Sequence, residues 1–324
     1  MTEPADEFSF LADQAADAGL DGPLPHGERL RTGLPDGRVV SGLRWWFDSP
    51  DERPVVTLLH GAGLNAHTWD TTVIALGLPA LAIDLPGHGD SSWRTDAAYV
   101  GRMLAPDVAA AMTAWTDRPQ LLVGQSLGGL TAAAVAAARP ELVERLVVID
   151  ITPGLDPNAG AAEIRRFFAG PTDWASRDEL VDRAMAFGLG GGTREKAARG
   201  VYFNSRVRED GRVEWKHHFA HLAAAATRSS AARSSAAADD AAAGAGSDAV
   251  AAVLGEAGWE DLAAVRAPLE LIRGERGYVT DADADVFGER VPGASVLTLA
   301  GGHNLQEDAP VALAAELRRA TGKG

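Results

Sequence analysis

The sequence predicts an α/β fold in which a mostly parallel, doubly wound sheet carries an inserted all-helical cap. Short apolar runs of about the length of a buried strand recur along the chain, at residues 54–60, 79–84, 119–124, 144–150, 267–274 and 294–300. Helical patterns separate several of these runs, and alternating strands and helices are typical of a parallel sheet covered on both faces. No strand-like run occurs between Pro153 and about Gly258, which predicts the helical insertion.

Shifts in composition divide the chain further. Residues 1–26 are acidic and rich in Ala, Gly and Pro, which predicts a poorly ordered N-terminal arm without chemistry. A strand hairpin around the turn residues "PDG" follows it. We expect the core to comprise 27–153 and 259–324, with the cap over 154–258. Within the cap, residues 222–253 form an Ala/Ser-rich low-complexity segment with too few large apolar residues to anchor a core.

Composition limits the classes of function. Acidic residues outnumber basic ones by 45 to 30, giving a net charge of -15, and no basic run could gather phosphates, so nucleic acid and anionic membranes are not expected partners. Without cysteine there is no disulfide, thiolate metal site or Cys nucleophile. The acidic N-terminus is unlike a signal peptide. These features predict a cytoplasmic monomer or homodimer that acts on a small molecule without cofactor or metal.

The stretch "LLVGQSLGGL" places Ser126 in a GxSxG pattern between an apolar strand and an Ala-rich helix. This is the context of a nucleophile elbow, in which small residues two before and two after the Ser let the helix pass close to the strand. Upstream, "LLHGAG" follows another strand, and its backbone N–H groups could form half of an oxyanion hole. Downstream, "GGHN" places His303 in a glycine loop just beyond the last strand.

Together with "AIDLPGHGDSS" at residues 82–92, these motifs resemble the α/β-hydrolase superfamily, specifically its serine hydrolases with a helical cap. The resemblance covers about residues 27–153 and 259–322, and the cap itself has no match. It implies that Ser126 is the nucleophile and His303 the general base, with the backbone amides of Ala62 and Leu127 as oxyanion donors. The implied reaction is hydrolysis of a small to medium, uncharged carboxylic ester through an acyl-enzyme.

The sequence departs from the family at the acid of the triad. In most relatives the acid follows the next-to-last strand, where this chain has Gly277 and Tyr278. Some members instead hold it at the end of the strand after the nucleophile helix, and there "LVVID" ends on Asp150. A carboxylate buried unpaired costs several kcal/mol, so a charge at a strand end needs solvent, a partner or a chemical role. We therefore predict that Asp150 is the acid, with three later carboxylates as alternatives: Asp281, Asp283 and Glu275.

Other polar and aromatic residues receive structural interpretations. Asp84 and His88 are expected to fix their loop by hydrogen bonds, and His60 to brace the oxyanion loop. The spacing of His217, His218 and His221 could place a metal on one helical face, but no acidic residue completes a metalloprotease motif. The large aromatic side chains of the cap are expected in its core, some of them lining a substrate pocket: Phe167, Phe168, Trp174, Phe187, Trp215 and Phe219. His60 is a further candidate for that pocket.

Rival functions remain open at this point. Thioesterase, lactonase and carbon–carbon bond hydrolase chemistry would use the same residues. A non-catalytic receptor on the same scaffold is possible in principle, since fold does not fix function. The stretch "HGAGLNA" also fits a dinucleotide-binding turn with Asp84 about 20 residues on, which would suit a nicotinamide oxidoreductase. That reading leaves the GxSxG and "GGHN" motifs unexplained.

Overall fold

A computed structural model of the 324-residue chain describes residues 6–155, 170–187, 192–222, 224–225 and 255–322. Eight strands form its main sheet in the order β1-β2-β4-β3-β5-β6-β10-β11. β1 and β2 are a hairpin that joins β4 antiparallel, whereas all later pairings are parallel. The strands are β1 (His26–Gly33), β2 (Val39–Trp46), β3 (Val56–Leu59), β4 (Ala80–Asp84), β5 (Gln120–Gln125), β6 (Val143–Ile149), β10 (Leu269–Gly274) and β11 (Ser295–Leu299). The predicted α/β fold with a mostly parallel, doubly wound sheet and all six predicted later strands are confirmed.

Helices cover both faces of this sheet because its central strands are mostly apolar and have buried residues on both sides. One face carries α3 (Gly101–Trp115), α4 (Leu127–Ala138), α7 (Gly258–Ala264) and α8 (Asp281–Arg290). The other carries α2 (Asp70–Leu76) and α10 (Pro310–Ala320), which follows the short helix α9 (Leu305–Asp308). Single 3-10 turns at Ala66–Trp69 and Pro140–Leu142 lead into α2 and β6. β3 and β4 are buried at every position, as expected of strands covered on both sides.

The insertion between β6 and α7 is not all-helical, which corrects the prediction. Its described part holds α5 (Arg177–Ala186) and α6 (Arg194–Asn204), together with a three-stranded antiparallel sheet. The strands are Asp173–Trp174, Ser205–Val207 and Val213–Trp215, numbered β7, β8 and β9. Strands of two or three residues are too short to show apolar alternation. The Asp-Gly turn within "VREDGRV" was the available hairpin signal.

The insertion lies over the loops that follow the carboxyl ends of β3 and β4. The amide of Asn65 donates to the Asn204 side chain at 2.7 Å. The backbone N–H of His218 donates to the Gly87 carbonyl at 2.8 Å. The low-complexity segment predicted over 222–253 lies almost entirely outside the described residues.

The N-terminal segment is docked on the core, so the expected poorly ordered arm is wrong for residues 6–26. Helix α1 (Leu11–Asp17) packs Leu11 against Ile74 of α2. Glu7 accepts hydrogen bonds from the Arg29 guanidinium at 2.5 Å and pairs with His67 at 3.1 Å. Burial alone raises the pKa of Glu7, but the bonds to His67 and Arg29 outweigh it and lower that pKa to about 2.

No helix in the described part of the chain is both long enough and apolar enough to span a bilayer.

Candidate active site

Ser126 sits at a sharp turn between β5 and α4. Its backbone adopts φ 54° and ψ -122°, a left-handed conformation that is costly for a residue with a side chain. A side chain at Gly124 would overlap the backbone of Gly128, and one at Gly128 would overlap the carbonyls of Leu59 and His60. The turn therefore requires glycine on both sides of the serine, as the elbow interpretation demands.

The loop after β3 passes beside this serine. A Cβ at Gly61 would lie 3.2 Å from the Ser126 Cβ, so the loop approaches as closely as a bare backbone allows. The hydrogen bonds among the described residues leave the N–H groups of Ala62 and Leu127 without a partner. Leu127 is the first residue of α4, where the helix dipole also favours negative charge.

Asp150 is completely buried one residue beyond the end of β6. Its φ of 47° is left-handed, a region that Asp tolerates better than most residues. Oδ1 accepts the backbone N–H of Gly274 at 3.0 Å, and Oδ2 accepts that of Tyr278 at 2.6 Å. A side chain at Gly277 would overlap this carboxylate. Asp150 thus fills the space that a residue at the usual acid position would need.

The His303 imidazole forms a hydrogen bond with the Asp150 carboxylate through its Nδ1 edge. Its Nδ1 lies 2.7 Å from Asp150 Oδ2, and since a carboxylate only accepts, Nδ1 carries the proton. Nε2 is then left with a free lone pair, the form that a general base requires. The Gln125 side chain donates to the His303 carbonyl at 3.1 Å and to the Asn304 side chain at 3.2 Å, which ties the histidine loop to the residue before Ser126. Gln125 lies inside the GxSxG pattern, but nothing in the sequence distinguishes it from any other residue at its variable position.

No hydrogen bond joins His303 to the Ser126 hydroxyl, although both residues are described. The structure therefore brings the imidazole of His303 and the carboxylate of Asp150 into contact, while Ser126 lies on the turn after the neighbouring strand β5. Catalytic hydrogen bonds are often long in enzymes without substrate and tighten when substrate binds.

The three alternative acids are engaged elsewhere. Asp281 pairs with Arg273 on the surface. Asp283 caps the start of α8 by bonds with Thr280. Glu275 is exposed and makes no hydrogen bond to His303.

Asp84 and His60 hold the surrounding loops. Asp84 accepts the backbone N–H of Ala66 at 2.8 Å and the Arg29 guanidinium at 2.9 Å, so it links the loops after β3 and β4. His60 Nε2 accepts the N–H of Leu85 at 3.0 Å, and its Nδ1–H donates to the Gly61 carbonyl at 2.8 Å. Burial lowers the pKa of His60, which keeps the ring neutral.

The predicted pocket residues that the structure describes are packed against protein, so their part in a pocket stays a prediction. His60 is fully buried and bonded to backbone, and Trp174 and Trp215 are 6% and 4% exposed within the core of the insertion. Phe187 packs against that same core. Large aromatic side chains in a small insertion are needed to form its own hydrophobic core. Phe167 and Phe168 lie outside the described residues.

The three histidines of "HHFAH" pack against aromatic rings. His217 stacks on Trp215, and burial, with a lesser effect of the nearby His221 charge, lowers the pKa of His217 to about 3. His218 stacks on Trp93 with ring centroids 4.4 Å apart. Over the described ranges, no group of three or more His, Cys, Asp or Glu side chains is arranged to hold a metal ion.

A cavity of about 680 Å³ opens between α1, α6 and the start of α10. Its walls include Asn65, Lys196, Phe203 and Glu307, but none of Ser126, Asp150 and His303, so it is separate from these three side chains.

Comparison with known proteins agrees with this geometry. A model of the alpha/beta hydrolase family matches residues 58–316. Esterase Rv0045c of Mycobacterium tuberculosis is 36% identical over 318 residues, 95% of this chain and 93% of that protein. A solved structure of that esterase has a TM-score of 0.78 at 33% identity, covering 99% of this chain and 100% of the other.

The sn-1-specific diacylglycerol lipase ABHD11 of Mus musculus is 34% identical over 111 residues, 33% of this chain and 36% of that protein. The family match spans the elbow, the acid and the histidine loop, and the likeness to the mycobacterial esterase extends over nearly the whole length. The chain belongs to the alpha/beta hydrolase family.

Proposed function

We propose that this protein is a serine esterase that hydrolyses small to medium, uncharged carboxylic esters through an acyl-enzyme. One observation carries the proposal: Asp150 accepts the Nδ1 proton of His303 at 2.7 Å, which leaves Nε2 as a base at the sheet edge where the elbow presents Ser126. The names of the mycobacterial and murine relatives, an esterase and a lipase, support ester hydrolysis.

In the first half of the reaction, the Ser126 oxygen attacks the ester carbonyl carbon while its proton passes to His303 Nε2. The carbonyl oxygen becomes an oxyanion, which the N–H groups of Ala62 and Leu127 stabilise. Asp150 stabilises the imidazolium that forms. The bond from the carbonyl carbon to the alkoxy oxygen then breaks, and the alcohol leaves with the proton from Nε2.

In the second half, water attacks the acyl carbon and gives one proton to Nε2. The oxyanion forms again in the same site, and its collapse releases the carboxylic acid and returns the proton to Ser126. Serine at the elbow forms an ester intermediate that water can cleave at the acyl carbon. The substrate preference rests on the net charge of -15, which disfavours anionic substrates.

The test is hydrolysis of p-nitrophenyl acetate and butyrate by the full-length chain. Ser126→Ala is expected to lower kcat by at least about 10³, because the residual rate comes only from binding and the oxyanion hole. Ser295→Ala, at an exposed position of β11, serves as the matched control and should retain activity.

Labelling with a fluorophosphonate probe complements the kinetics, because the probe reacts with an activated serine. The modified peptide should contain Ser126. Unchanged turnover in Ser126→Ala, or a label on another residue, would contradict the proposal.

A further inference from the structure

Tyr278 touches both partners of the hydrogen bond between Asp150 and His303. Its ring lies flat on the His303 imidazole, with centroids 3.7 Å apart and planes 14° from parallel. Its backbone N–H donates to Asp150 Oδ2 at 2.6 Å. The neighbouring Gly277 has no side chain, and the Asp150 carboxylate occupies the space that one would need.

A single hydrogen bond does not fix the plane of an imidazole. The bond from Nδ1 to Asp150 restrains the torsions χ1 and χ2 of His303, but a hydrogen bond tolerates some bending, so the ring can still tilt by a small rotation. The direction of Nε2 relative to Ser126 depends on that rotation. A flat aromatic contact at 3.7 Å restricts it, because turning the imidazole would drive its edge into the phenol ring.

The same contact also has an electrostatic effect. The face of an aromatic ring carries partial negative charge and attracts a cation placed over it. In the proposed reaction His303 becomes a cation only when it takes the proton of Ser126. The attraction from Tyr278 is then stronger in the transition state than in the resting enzyme, which is the condition for a contact to raise kcat.

We propose that Tyr278 is a positioning residue for His303, acting through its ring face and not through its hydroxyl. The inference rests on the proposed esterase function, since it assigns His303 the role of base. It also gives Gly277 and Tyr278 a joint explanation: the glycine admits the displaced acid, and the tyrosine holds both the acid and the base.

Two substitutions separate the ring from the hydroxyl, and both keep the backbone N–H that binds Asp150. Tyr278→Phe retains the ring face, so kcat should stay within about 2-fold of the original. Tyr278→Leu removes the face, so kcat should fall about 3- to 30-fold, as expected for the loss of a cation–π contact. KM should change little in both variants, because the cation–π attraction acts only when the proton of Ser126 passes to His303.

A spectroscopic measurement tests the contact itself. The C–H protons of His303 lie over an aromatic face, so their NMR signals should be shifted upfield in the original protein and in Tyr278→Phe. The shift should disappear in Tyr278→Leu, and His303→Gln identifies the signals. Should Tyr278→Leu not fold, Tyr278→Met carries the same expectations.

The proposal is overturned if Tyr278→Leu and Tyr278→Met keep the original kcat, or if Tyr278→Phe loses as much activity as they do. Its failure differs from failure of the esterase assignment. If only the role of Tyr278 is wrong, ester hydrolysis still depends on Ser126. If the esterase assignment is wrong, Ser126→Ala leaves hydrolysis unchanged.

Discussion

Asp150→Asn is the most direct test of the acid, because it preserves the shape of the side chain and changes only its charge and one acceptor. Both carboxylate oxygens receive donors from the protein: Gly274 at Oδ1, and Tyr278 together with His303 at Oδ2. An amide has one acceptor oxygen and one NH₂ group. In either orientation its NH₂ group therefore faces a buried N–H, so neither orientation is clearly favoured.

The two orientations harm catalysis to different extents. With the amide oxygen towards His303, the correct tautomer remains, but the forming imidazolium loses a charged partner worth about 1.5 to 3 kcal/mol, or about 10- to 150-fold in rate. With the NH₂ group towards His303, the imidazole must carry its proton on Nε2 and cannot accept one from Ser126. The corresponding change in a serine protease lowers kcat about 10⁴-fold. We expect Asp150→Asn to lower kcat by a factor between about 10 and 10⁴.

The assay is the initial rate with p-nitrophenyl butyrate, normalised by titrating the folded sites. Asp281→Asn and Asp283→Asn are matched controls at the alternative positions, and each should stay within about 2-fold. If Asp150→Asn kept most of the original kcat while one of these controls lost it, the acid would have to be reassigned to the loop after β10.

Three further predictions concern the space around the acid and the pH dependence of stability. Gly277→Asp should inactivate the enzyme, because the new side chain displaces the Asp150 carboxylate. In kinetic assays, the double variant Asp150→Gly with Gly277→Asp should have a higher kcat than Asp150→Gly alone. Equal kcat values would refute the idea that the two positions can hold the same acid. Glu7→Gln should lower the free energy of unfolding, measured in urea, by about 1 to 2 kcal/mol at pH 7, because it weakens the pair with Arg29. Since the pKa of Glu7 is lowered to about 2, this difference in stability between the two proteins should persist above pH 4.5 and vanish as pH falls towards 2. The pKa of His217 is lowered to about 3 in the folded protein, so below pH 6.5 this residue binds a proton more readily in the unfolded chain. His217 should therefore lower the free energy of unfolding by about 2 kcal/mol between pH 7 and pH 5. Urea titrations at both pH values should show that His217→Phe removes this part of the decrease.

The positions of the strands could be predicted from the sequence because burial on both faces leaves a local mark. A strand covered by two helical layers is buried at nearly every position: β3, β4 and β5 are buried throughout, and β6 is buried over its last four residues. The small sheet of the insertion left a weaker mark. Its strands are short and partly exposed, so the Asp-Gly turn at Asp210 and Gly211 was the main signal and was overlooked.

The docking of the N-terminal segment left almost no mark in its own residues. Acidic composition predicted an arm, but Glu7 finds a partner in Arg29 of β1 and α1 finds one in Ile74 of α2. Composition describes what a segment would do alone. It does not say whether a complementary surface exists elsewhere in the fold.

The sequence by itself determined the sheet, the turn that holds Ser126 and the presence of a strand ending just before Asp150, since each depends on residues adjacent in the chain. Only the tertiary structure decided that Asp150 and His303, 153 positions apart, share a hydrogen bond. It also decided that position 277 has no room for a side chain, because the Asp150 carboxylate occupies that space. Packing couples residues by volume and by direction, and neither quantity can be read from a single residue or its neighbours in sequence. The contact of Tyr278 with His303 is of the same kind.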